Sequence, residues 1–125
     1  QAKNYFSLTT PVFSQSYNIS TNTRSSYSLI TPLGIQVFAN ISATNSKVST
    51  GASQTWISDL ATADIDPVYF SGFETMRCNI NYNSDATLDV KTNKSTQIGI
   101  RTNNSASSTD IKIVTNGWED FNLNF

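Results

Sequence analysis

Few side chains in this sequence can do covalent chemistry. Cys78 is its only cysteine, and there is no histidine. A reactive thiolate needs a basic neighbour, and Ser–His or Cys–His chemistry needs an imidazole, so the common nucleophilic and general-base arrangements are excluded. Zinc sites built from His and Cys fall with them, as does a disulfide within the chain. Cys78 alternates with Met76 and Ile80 and reads as a buried, inert thiol. Carboxylates remain. Asp59, Asp66, Glu74, Asp89 and Glu119 could supply a pair for glycoside hydrolysis, but spacing alone pairs none of them across a sheet. Asp64 and Asp66, with Asp59 nearby, could offer oxygens to calcium, yet no EF-hand pattern accompanies them. Loop capping and solvated charge account more simply for these acids and for Glu119-Asp120. The expectation is a protein without catalytic residues, bound metal or cofactor.

The large flat side chains suit recognition better. The face of an indole or phenol ring is electron-rich and packs against the C–H edge of a sugar, while Asn, Asp and Arg around it bond the hydroxyls. Trp118, Trp56 and Tyr69 are the candidate stacking residues, with Asp66, Glu119 and Asp120 as polar partners. Tyr82 reads as core.

The composition agrees with a binding role. Of 125 residues, 38% are apolar and 14% charged, below the usual quarter; Ser, Thr and Asn make up the difference. With 8 basic and 9 acidic residues the net charge is −1, which gives no footprint for nucleic acid or for an anionic membrane surface. No apolar run is long enough for a helical membrane span. Aromatics at 11% argue against disorder. The length fits one domain, 1–125, with one core.

The elements that must position these residues are strands. Ile35, Val37, Ala39 and Ile41 alternate with Gln36, Phe38 and Asn40, placing Phe38 on the polar face. Ala86, Leu88 and Val90 alternate with Thr87, Asp89 and Lys91, and Ile98/Ile100 and Ile111/Ile113 repeat the pattern. Period two is the signature of a strand with one buried face. Pro11 predicts separate strands on either side of it. The stretch 43–51 reads as a loop or an edge. Over 53–63, Trp56, Ile57 and Leu60 share a helical face, so a short helical turn there competes with a strand. Asn116-Gly117 is the strongest hairpin signal, with a last strand from Trp118 carrying Phe121, Leu123 and Phe125. Thr-Asn recurs at 92–93, 102–103 and 115–116 and reads as repeated turn chemistry in an up-and-down meander. The whole predicts an all-β chain: an antiparallel β-sandwich or jelly-roll-like domain of about nine or ten short strands.

Three features resemble the head domains of receptor-binding proteins from phage tails and baseplates of Gram-positive-infecting phages. They are the Asn/Ser/Thr-rich strands, the segment Ile65-Asp66-Pro67-Val68-Tyr69-Phe70-Ser71-Gly72-Phe73 followed by a strand pair, and the turn in Asn81-Tyr82-Asn83-Ser84-Asp85-Ala86-Thr87-Leu88. The likeness runs from about Gly34 to Arg101 and transfers no binding residue. It implies a virion or extracellular location, a cell-surface saccharide as ligand, and assembly as a homotrimer or with other virion proteins. Two further readings stand beside it: a carbohydrate-binding or adhesin domain of a secreted bacterial surface protein, and a capsid, pilus or spacer domain that binds only other subunits.

Overall fold

The computed structural model describes residues 4–20, 24–46, 52–67, 72, 75–79, 84–104 and 108–120. These contain eight strands and no helix: β1 (Asn4–Ser20), β2 (Ser25–Ser28), β3 (Phe38–Ser46), β4 (Ala52–Ser58), β5 (Met76–Asn79), β6 (Ser84–Lys91), β7 (Gln97–Asn104) and β8 (Ser108–Asp120). They form two four-stranded antiparallel sheets, ordered β1-β8-β3-β6 and β2-β7-β4-β5. The pairing is nested. First meets last, β1 with β8, then β2 with β7, β3 with β6 and β4 with β5. The chain is therefore wound as one long doubled-back ribbon, and the expected meander is corrected.

The alternation of the sequence sets the faces. Ala39, Ile41, Ala43 and Asn45 of β3 are buried, while the residues between them are only half-buried. One buried apolar cluster draws on both sheets: Ala39, Ile41, Val90, Ile111 and Ile113 from the first, Ile57, Met76, Ile98 and Ile100 from the second. One end of this interior is polar. Asn45 donates to Thr55 Oγ1 at 3.0 Å, a fully buried bond linking the two sheets.

Four further expectations change. Pro11 does not split two strands. β1 runs through it, and its pairing with β8 shifts register between Ser7 and Val12, since proline has no N–H to give the ladder. The stretch 43–51 is not all loop, because β3 continues to Ser46 and buries Ala43 and Asn45. The helical turn over 53–63 is replaced by β4. Ser53, Thr55 and Ile57 are buried, and so are Gln54 and Ser58 in the row between them, which leaves Trp56 half-buried; only the stretch after Ser58 turns, with Thr62 N bonding Asp59 O. Asn116-Gly117 is not a hairpin. β8 passes straight through it, and Asn116 is an extra residue opposite β3, where Asn40 faces Gly117 and Ile41 faces Thr115. A β-bulge uses the same flexible residues as a tight turn. These mergings reduce the expected nine or ten strands to eight among the described residues.

Of the three Thr-Asn turns expected, Thr102-Asn103 lies within β7, paired with Thr55 and Gln54, and Thr115-Asn116 lies within β8; only that at Thr92-Asn93 is a turn. Asn93 Oδ1 accepts from the backbone N–H groups of Ser95 and Gln97, both at 2.9 Å. Within it Thr96 has φ +65°, a strained value for a β-branched residue. Thr96→Gly is expected to raise stability by about 1 kcal/mol; a urea midpoint equal to or below that of the parent chain would contradict this.

Candidate functional site

Strands β3, β4 and β6 and the turn after β4 border a shallow, open cleft of about 420 Å³, lined by Phe38, Trp56, Ile57, Ser58, Asp59, Thr62, Asp89, Val90 and Lys91. This is within the usual range for small-molecule sites, about 300–1,000 Å³. Directly opposed residues of neighbouring strands share a face. Phe38 lies between Lys91 of β6 and Glu119 of β8 on the outer face of the first sheet. Trp56 lies opposite Arg101 in the second sheet and is the one half-buried residue between the buried Thr55 and Ile57. Both aromatics are half-buried, so each is packed on one side and retains open surface.

The polar lining is held in place. Asp89 Oδ1 accepts from Asn40 Nδ2 at 2.9 Å. Asn40 in turn accepts from Asn116 Nδ2 at 3.0 Å, and the same amide reaches Ser42 Oγ at 2.9 Å. The bulge thus turns Asn116 onto the outer face to brace the residue that orients Asp89. Asp59 Oδ1 accepts from Ala61 N at 2.8 Å, a local turn that sets the carboxylate. The second oxygens of Asp59 and Asp89 meet no further protein partner among the described residues.

Two arginines pin the segment 58–66 over the second sheet. Arg24 donates through Nη1 to Thr62 O at 2.6 Å, to Asp59 O and Ser58 Oγ at 3.4 Å, and through Nη2 to Leu60 O at 3.3 Å. Its aliphatic stem crosses Gly99, where an added Cβ would lie 2.6 Å from Arg24 Cδ and 3.1 Å from Leu60 Cδ2. Arg101 bridges to Asp64 at 3.1 Å and to Asp66 at 4.0 Å. Arg24→Ala is expected to free this segment: limited proteolysis should cut within 59–66 well before it cuts the parent chain. An unchanged digestion pattern would show that the arginine does not hold it.

Of the residues singled out from sequence, Trp56 lines the cleft, and Glu119 stands beside Phe38 in register. Asp59 and Asp89, considered above as carboxylates for hydrolysis, both line it. Trp118 belongs elsewhere. It lies opposite Phe6 and the buried Ala39, with its ring centroid 6.1 Å from that of Phe6. Asp66 is turned to Arg101 and accepts from Asn103 Nδ2 at 2.8 Å. Asp120 closes β8 opposite Asn4. Tyr69, Glu74, Tyr82 and the segment 121–125 lie outside the described residues, as does the side chain of Cys78, whose backbone pairs with Ser53. No group of three or more potential metal-ligating side chains occurs among the described residues, and no helix is long and apolar enough to cross a membrane. Sequence reasoning missed Lys91 and Thr62, which no local pattern marks. Phe38 did carry a signal, an aromatic residue on the polar side of an alternating strand.

No family model, curated protein or solved structure matches this chain.

Proposed function

We propose that this chain is a non-catalytic binding module that recognises cell-surface carbohydrate, in the manner of a host-adhesion domain of a phage tail or baseplate. The observation that carries this is the cleft itself. Trp56 and Phe38 give it flat apolar faces, and oriented carboxylates, hydroxyls and one ammonium surround them. A sugar ring needs this combination, because it is apolar across its C–H faces and polar around its rim. The nested strand pairing supports a jelly-roll sandwich with the two sheets as its layers, an architecture shared by lectin and viral capsid domains.

The test is a titration of the chain with host-type wall polysaccharides, followed by tryptophan fluorescence. A saturable change that persists in Trp118→Ala and disappears in Trp56→Ala is the expected result. A flat response to every glycan from a folded protein would remove the proposal.

A second reading has its own observation. β1 is the edge of its sheet, is 17 residues long, and exposes about half of Tyr5 and Phe6. Long edges bearing apolar side chains invite pairing with another chain, which suits a subunit that assembles. Concentration-dependent light scattering without any glycan would favour it.

A further inference from the structure

The cations around the cleft are committed to the protein itself. Arg24 directs both terminal nitrogens at the carbonyls of residues 59, 60 and 62 and at Ser58 Oγ. Arg101 is bridged to Asp64 and Asp66, with only 15% of its side chain exposed. Among the described residues Lys91 is the one cation lining the cleft, and it too interacts within the protein. The acceptors present the opposite picture. Asp59 and Asp89 each have one oxygen fixed by a protein donor and the other without a described partner. A carboxylate held this way is an oriented acceptor, ready for donors and repulsive to anions.

Resting on the saccharide reading above, we infer that the cleft takes an uncharged, hydroxyl-rich saccharide and rejects wall polymers that carry phosphate. Hydroxyl groups of a neutral sugar donate to the second oxygens of Asp59 and Asp89 while its ring packs on Trp56 and Phe38. A phosphodiester group offers no donor there, brings a like charge toward both carboxylates, and finds no uncommitted guanidinium among the described side chains to bind it.

The test compares a neutral hexose polysaccharide with a poly(glycerol phosphate) of matched length, titrated into the whole chain at one ionic strength. The neutral polymer is expected to bind, and the phosphate polymer at least about tenfold more weakly. Asp89→Asn keeps the acceptor for Asn40 and removes the charge. It should weaken the neutral polymer by about tenfold and strengthen the phosphate polymer, and Asp59→Asn should move both in the same directions. Equal or tighter binding of the phosphate polymer, lost in Trp56→Ala, would overturn the charge selection while leaving the cleft as the site. Failure of both polymers to bind would overturn it together with the saccharide reading on which it rests.

Discussion

Gly117→Val is expected to lower stability by about 3 kcal/mol, more than any substitution on the exposed faces. An added Cβ would run into the Phe6 carbonyl oxygen and lie 3.0 Å from Ser7 Cα and from the Tyr5 hydroxyl. Two of these three atoms belong to backbone, so β1 itself must shift to make room. It can do so only by loosening the pairing that joins it to the sheet, because β8 is its one neighbour among the described strands. The effect differs in kind from that at Gly34, which has open space around it and is required for its φ of +92°. Urea unfolding decides the matter. A midpoint within error of the parent would mean that β1 does not approach β8 as closely as described.

The second large effect is on binding. Trp56→Ala is expected to reduce affinity for a neutral wall saccharide by about 5- to 150-fold, since stacking on an aromatic face is worth roughly 1–3 kcal/mol. The fold should persist. Trp56 is half-buried and lies outside the apolar core cluster, while the buried Thr55 and Ile57 beside it are unchanged. Trp118→Ala provides the contrast. Its ring meets Phe6 on a different part of the molecule, so it should reduce stability and leave affinity intact. Equal losses of binding in the two variants, at matched folded fractions, would show that the cleft is not the site.

Much of the strand content was legible because period-two alternation has a direct physical cause. Wherever a strand has one wet face, as at Ala86–Val90, Ile98–Ile100 and Ile111–Ile113, the residues expected inside are inside or lean on the core. The breaks were read less well, because one local chemistry serves several structures. Pro11 ends a strand or shifts its register, and Asn116-Gly117 turns a hairpin or forms a bulge. The choice depends on β8 and β3, strands far away in the chain. For the same reason Trp56-Ile57 with Leu60 resembled a helical face until pairing with β5 and β7 claimed the segment as a strand. Strand order lies beyond local patterns altogether. So does most of the cleft, whose lining comes from three separated stretches: Phe38 from one, Trp56 to Thr62 from another, Asp89 to Lys91 from a third. Trp56 could be named in advance because a tryptophan beside a polar stretch is a recognisable candidate. Trp118 satisfied the same description and lies against Phe6 with the two rings tilted instead.

The measurement that bears most directly on the saccharide-binding cleft is an amide and side-chain chemical-shift map of the chain during titration with a neutral cell-wall saccharide. The expected result is a set of saturating shifts confined to Phe38, the Trp56 indole, Asp59 to Thr62 and Asp89 to Lys91, with Trp118 and Phe6 still. Shifts centred on Tyr5, Phe6 and Trp118, or none anywhere at saturating glycan, would contradict it.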